Sequence, residues 1–390
     1  LGLIESNSEI KQITNNPSLQ YGPVIFGDKI AWMDQRNGPN DIYVYDISTD
    51  KEIQITNAPR AQNYPSIYED KIVWTDYRDS ADSDIYMYDF STGEEIQITD
   101  SSYDEFGPSI YGDKIVYEVW GGGKNYISMY DLNTNQEKFI GNGLTESESS
   151  IWKDKIVYYD FRTGSSQIYM YDLLTDKEIQ ITYDQIGASE PSIYEDKIVW
   201  HDQGELEEVY MYDINKGETK LISSGVAPSI YGNIIVYQDS SRTRFSQIYM
   251  YDLSTNKETQ ITNNIFFGQY SPSIYKNTIV WESGGDIYMT TILYPGTPAF
   301  CQANQYYSSA TPVTNQACCF QGKVVNSNAI AVGDQYNRFM CYNGQIYLHD
   351  GDVSSWWQNV VRVQTSCNIV GNYYSNPNFD PFNASQQSWM

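Results

Sequence analysis

The segment DIYMYDFSTGEEIQITD, Asp84 to Asp100, has near-copies elsewhere in the same chain. DIYVYDISTDKEIQITN starts at Asp41, QIYMYDLLTDKEIQITY at Gln167 and QIYMYDLSTNKETQITN at Gln247. Aligned on the aspartate that closes YMYD, the copies place Asp46, Asp89, Asp131, Asp172, Asp213 and Asp252 at spacings of 39 to 43 residues. A period near 40 that holds four short strand-like segments predicts β-propeller blades rather than a helical solenoid. In the copy around Asp89 the four strands, a to d, read PSIY (Pro65 to Tyr68), KIVWTDYR (Lys71 to Arg78), DIYMYD (Asp84 to Asp89) and EIQIT (Glu95 to Thr99). Side chains alternate across a strand, so Ile85 and Met87 share one face and Tyr86 and Tyr88 the other. Both faces are apolar, as in a blade packed between two neighbours.

The ends of the repeat predict how the row closes. EIKQIT, Glu9 to Thr14, is a d strand with no a, b or c before it, whereas the last copy has PSIY from Pro272, TIVW from Thr278 and DIYM from Asp286 but no d. The expectation is an all-β, seven-bladed propeller of four-stranded blades in which the N-terminal strand completes the last blade, leaving no open ends to the ring. The strand and turn residues, DIYMYDLST-KE-QIT, resemble the TolB-like propellers and most closely the repeats of archaeal, methanogen-type surface-layer proteins. The resemblance covers residues 9–293 and rests on residues that build blades. It implies an extracellular or cell-envelope propeller making protein or glycan contacts, and it brings no shared catalytic residues.

Charge narrows the partners. The chain carries 24 Lys and Arg against 50 Asp and Glu, a formal charge of -26. Such a surface repels phosphate backbones and anionic lipid, so neither nucleic acid nor a membrane surface is expected as a partner; cations, basic proteins and neutral glycans remain. No apolar run approaches the roughly 18 residues of a spanning helix, so no membrane insertion is expected. Leu1 is not an initiator methionine, and the start reads as processed or truncated. Residues from Pro295 onward contain no Glu and carry a net charge of -1, and all five cysteines lie there. With YPGTPAF at Tyr294 to Phe300 this divides the chain into a propeller (1–294), a linker (295–300) and a small β domain (301–390). Cys301, Cys318, Cys319, Cys341 and Cys367 are disulfide candidates, which implies an oxidising compartment. Trp356 and Trp357 are candidate glycan or interface residues, and Asn383 in NAS is a glycosylation sequon.

In a four-stranded meander the d-to-a and b-to-c connections emerge on one face, and here they are long and unlike one another. That face is the expected binding surface, displaying Tyr64, Tyr103, Phe106, Trp120, Phe161, Arg162, Arg242, Arg244, Phe245, Phe266, Phe267 and Tyr270, the aromatic and arginine types that anchor interfaces. Asp34, Asp76, Asp160, Asp202 and Asp239 recur at the end of strand b. Their return in blade after blade points to turn anchors, and an envelope polysaccharide lyase or hydrolase using acidic rim residues is the alternative. Asp79, Asp82 and Asp84 in DYRDSADSD make an oxygen-rich loop that could hold Ca²⁺ without matching the EF-hand spacing. His201 and His349 are the two histidines, in different domains, and no nucleophile elbow or phosphate-cradling glycine loop is present. The expectation is therefore a non-catalytic surface protein engaged in binding or self-assembly. A further alternative makes the propeller a carrier for the tail.

Overall fold

The computed structural model describes residues 10–78, 82–141, 145–183 and 185–292 and, beyond them, the strand backbone of residues 319–320, 323–324, 330–331, 337–342, 345–350 and 361–363. The chain forms two compact units, Leu1–Thr291 and Ile292–Met390. In the second unit Asn337–Tyr342 pairs antiparallel with Gln345–Asp350, which pairs in turn with Val361–Val363.

In the first unit the copies fold into seven four-stranded antiparallel sheets. Blade 1 is Gln20–Phe26, Lys29–Asp34, Asp41–Asp46 and Lys51–Gln54. Blades 2 to 6 follow at 62–97, 104–140, 146–180, 188–224 and 226–260. Blade 7 takes Gln269–Tyr275, Thr278–Ser283 and Asp286–Thr291 from the end of the repeat and Lys11–Gln12 from the start of the chain, with Lys11 opposite Met289. The ring is closed as the offset copies predict. The threonine of QIT makes the closure secure: Thr14 Oγ1 accepts the Ile287 N–H at 2.9 Å and donates to Asp286 at 3.1 Å. Thr56, Thr99, Thr182 and Thr262 accept the N–H of Ile42, Ile85, Ile168 and Ile248 in the same way within their own blades.

No blade has a core of its own. Ala31, Met33, Ile42 and Val44 of blade 1 pack against Ile67, Ile72 and Trp74 of blade 2, and the pattern repeats around the ring. One position in strand b is always a large ring, namely Trp32, Trp74, Tyr117, Tyr158, Trp200, Tyr237 and Trp281, none more than 3% exposed. Such repeats bury apolar surface only by stacking on a neighbour, which is why the ring must close.

Strand a is longer than PSIY. It runs Gln62–Tyr68 in blade 2 and begins correspondingly early in the others. Its register breaks midway, and the residue there is left-handed in every blade: Gly22, Tyr64, Gly107, Glu148, Glu190, Ala227 and Ser271, with φ between +46° and +61°. A proline ordinarily marks a strand's start because it cannot donate to the ladder. Here it sits in a bulge where the ladder is already interrupted.

The last residue of each strand a faces the axis. Phe26, Tyr68, Tyr111, Trp152, Tyr194, Tyr231 and Tyr275 touch in sequence, with centroids 4.2 to 4.9 Å apart, and Tyr275 returns to Phe26. Seven rings thus encircle the axis at the face of the short a-to-b turns. At the opposite face, backbone bonds lace six of the b-to-c loops to the next blade, among them Gln62 N–H to Asn40 O at 2.7 Å and Gln20 N–H to Gly285 O at 2.8 Å.

Candidate functional site

The carboxylates at the end of strand b anchor their own loops. Asp34 accepts the Arg36 N–H at 2.9 Å, the Trp32 indole at 3.1 Å and the Arg36 guanidinium at 2.6 Å. Arg36 also pairs with Glu52 and lies 4.2 Å from the ring of Tyr43, which stacks on Trp32. Arg78, Arg162 and Arg242 repeat the arrangement over Tyr86, Tyr169 and Tyr249, with Glu95, Glu178 and Glu258 as the outer partners. Arg162 and Arg242, expected as contact residues, are therefore held in ion pairs inside their own blades.

The fifth residue of strand b varies where its neighbours do not: Met33, Thr75, Glu118, Tyr159, His201, Gln238 and Glu282. It reaches the bulge of the next blade. Thr75, Glu118, Gln238 and Glu282 accept the N–H of Gly107, Glu148, Ser271 and Gly22 at 2.7 to 3.0 Å. Along one arc these contacts form a chain. Ser147 donates to Glu118 at 2.7 Å, Glu148 accepts the Glu190 N–H at 3.1 Å, and Glu190 lies 3.3 Å from His201 Nδ1. Burial raises the Glu118 carboxyl. Glu148 is exposed at the surface, and the protein packed around it, followed by the charge of Glu190, pushes its carboxyl up to about 7. Among the described residues no three His, Cys, Asp or Glu side chains converge as a metal ion requires.

A cavity of about 520 Å³ opens at the seam between blades 7 and 1, lined by Leu19, Tyr21, Gln35, Phe267, Tyr270 and Glu282 around the Gly284–Gly285 turn. Blade 7 crosses from strand b to strand c in two residues, with Ser283 opposite Asp286. Gly284 and Gly285 both have positive φ, +64° and +93°, as a two-residue hairpin turn demands. The ring of Phe267 lies over Gly284, Leu19 over Gly285, and Tyr270 so close to Gly268 that a Cβ there would collide with the Tyr270 hydroxyl. Glu282 is half-buried and lines the cavity, and among the described residues its one hydrogen bond comes from Gly22 N–H. Burial raises this carboxyl, and no cation offsets it.

Of the residues expected on the loop-rich face, Tyr64, Tyr103, Trp120, Phe161, Phe266, Phe267 and Tyr270 are each more than 40% exposed. Arg244 is exposed and lies 5.2 Å from the half-buried Phe245, while Phe106 is half-buried. The pocket joins Phe267 and Tyr270; the other residues are spread around the ring. Leu19, Tyr21 and Glu282 were missed by the sequence reading, and the one sequence sign of the pocket is the shortened SGGD turn. Asp79 lies outside the described residues, and Asp84 accepts from Gln97 at 3.2 Å. Cys301, Cys318, Cys367, Trp356, Trp357 and Asn383 lie outside the described residues, and Cys319 and Cys341 are described as strand backbone alone.

No protein-family model matches the chain, and no curated protein matches it significantly. Solved propellers do. The β-propeller domain of the Trilobed protease from Pyrococcus furiosus aligns with a TM-score of 0.57 at 15% identity over 71% of this chain and 94% of that one; its ring is described as an open velcro, whereas Lys11–Gln12 closes the ring here. An oligogalacturonate lyase from Vibrio parahaemolyticus aligns at 0.56 and 11% identity over 74% and 95%. TolB from Acinetobacter baumannii aligns at 0.48 and 18% identity, and the alignment spans 69% of this chain and 65% of TolB. At these identities the likeness extends to the fold alone: the first unit of the chain is built as a seven-bladed β-propeller.

Proposed function

We propose that the chain is a non-catalytic extracellular or cell-envelope propeller whose loop-rich face recognises a protein or glycan at the cell surface or joins copies of the chain into a surface layer or filament. The observation that carries this reading is the distribution of aromatic rings. On the a-to-b face the rings close on one another around the axis, whereas on the loop-rich face seven rings stand exposed. Exposed aromatics gathered on one face are the usual material of contact sites. The repeat's likeness to archaeal surface-layer propellers and the cysteine-bearing tail agree with an oxidising, extracellular setting. Binding to envelope fractions and to glycan arrays tests the reading. Phe266→Ala, Tyr103→Ala and Trp120→Ala should each weaken capture with no change in unfolding midpoint, and capture that is indifferent to all three argues against this face.

One observation favours an enzymatic second reading. Glu148, raised to about 7, and His201 are linked through Glu190, and a group poised near neutrality is suited to moving protons. Turnover of an envelope polysaccharide, lost in Glu148→Gln but kept in Asp76→Asn, would establish it.

A further inference from the structure

We infer that the pocket at the seam of blades 7 and 1 binds an alkylammonium group, with the Glu282 carboxylate as counter-charge and the rings of Tyr21, Phe267 and Tyr270 as walls. The inference rests on the recognition reading above and narrows it to one ligand chemistry.

Charge and shape select that chemistry together. No Lys, Arg or His lines the cavity, so nothing there would hold a carboxylate, sulfate or phosphate on a ligand. Glu282 is the one formal charge in the lining, half-buried and answered by a single backbone N–H. A half-buried carboxylate without a counter-ion is costly, as its raised proton affinity shows, and an incoming cation removes that cost. The field of the unit, which holds nearly all of the chain's -26 charge, draws cations from solution.

The rings supply the remainder. Aromatic faces attract a cation and also shelter its alkyl body. In blades 1, 2, 4 and 6 a ring of strand c is already covered by the chain's own arginine. Blade 7, like blades 3 and 5, has no such arginine, and its b-to-c connection is the Gly284–Gly285 turn. Tyr21, Phe267 and Tyr270 are paired with neither a cation nor another ring. Three rings without a cation or ring partner, one carboxylate without a counter-ion and a cavity of about 520 Å³ give room for an ammonium group and the alkyl chain that carries it. The source can be a free amine or a lysine side chain of a protein partner.

The test titrates the full chain with n-butylammonium and choline, with n-butanol as the neutral control, and separately with a lysine-containing peptide and its Nε-acetylated form. Saturation by either amine, or by the peptide but not its acetylated form, supports the inference; the amines identify a small-molecule source and the peptide a protein one. Glu282→Gln keeps an acceptor for Gly22 N–H and should lower the affinity tenfold or more, while Phe267→Ala and Tyr270→Leu each lower it several-fold. No binding in either arm overturns the inference. So does binding undiminished in Glu282→Gln, and so does equal binding of butanol or a neutral sugar. Phe266→Ala, outside the pocket lining, separates the two proposals. Envelope capture that this change weakens, with no amine binding, sinks the inference alone; amine binding with capture indifferent to every loop-face change sinks the recognition reading alone.

Discussion

The ring of Phe26 in the first blade lies 4.4 Å, centroid to centroid, from that of Tyr275 in the last. This contact completes the aromatic circle around the axis. Tyr231, half-buried between Tyr194 and Tyr275, is a representative member. Removing its ring costs two aromatic contacts and leaves a hole that neighbours on a rigid ring cannot fill. Tyr231→Ala should destabilise by about 2–4 kcal/mol, read by urea unfolding, with loop-face binding unchanged.

Closure at the chain's start combines the Lys11–Gln12 ladder, the Ile13 N–H to Ile287 O bond at 2.8 Å and the Thr14 hydroxyl. Thr14→Val keeps the shape but leaves the buried Ile287 N–H without its acceptor, at a cost of about 1–3 kcal/mol. Thr56→Val removes the same bond within blade 1. The two changes should match in local cost, but Thr14→Val alone should speed hydrogen exchange at Lys11 to Ile13, since that strand, unlike Lys51–Gln54 in blade 1, is not joined through a turn to the strand it pairs with.

Turns between strands a and b place a left-handed residue first in every blade, with φ from +52° to +63°. Blades 1, 3 and 6 use Gly27, Gly112 and Gly232; blades 2, 4, 5 and 7 use Glu69, Lys153, Glu195 and Lys276. Side chains with a Cβ are strained there. Replacing any of the four by Gly should stabilise by about 0.5–1 kcal/mol after the entropy lost from the unfolded chain is counted. Gly112→Ala should do the reverse, and thermal melts of the five variants decide it.

Glu105 occupies the place that Gln20, Gln62 and Gln269 hold in other blades, is 2% exposed, and has one carboxyl oxygen without a partner. Burial lifts it to about 7. Its folded pKa exceeds the unfolded value, so the native state gains stability as pH falls from 7 toward the usual glutamate range. Asp46 has the opposite sign: the Ser48 hydroxyl foremost, with the Thr49 N–H, holds it at about 2, so its contribution is lost as pH falls through that value. Stability should therefore peak between about pH 4 and 6. Glu105→Gln should stabilise by about 1–3 kcal/mol at pH 8 and by nothing at pH 4, as unfolding at the two pH values would show.

Much of the propeller could be read from residues close together in sequence. The offset of Glu9 to Thr14 against Asp286 to Met289 foretold the pairing that Lys11 and Met289 make. The recurring Asp34 and Asp76 were legible as turn anchors because function seldom repeats in every blade. Strand a was cut short because Pro65 hides a bulge whose left-handed residue, Tyr64, carries no sequence mark. The ion pairs of Arg162 and Arg242 went unread because their partners, Glu178 and Glu258, come from strand d, beyond the reach of a local reading. Glu282 escaped notice because Met33 and Thr75 hold the same place, and its pocket forms only when residues from the two ends of the repeat meet.

The two-residue turn at Gly284 and Gly285 carries a last consequence. A framework of seven near-equal sectors would by itself offer a visitor no preferred bearing. By clipping one sector where the chain's beginning meets its end, this molecule acquires a compass mark. A guest lodged at that mark fixes the azimuth of the whole disc, so that any array tethered through it would hold its members in a common rotational setting.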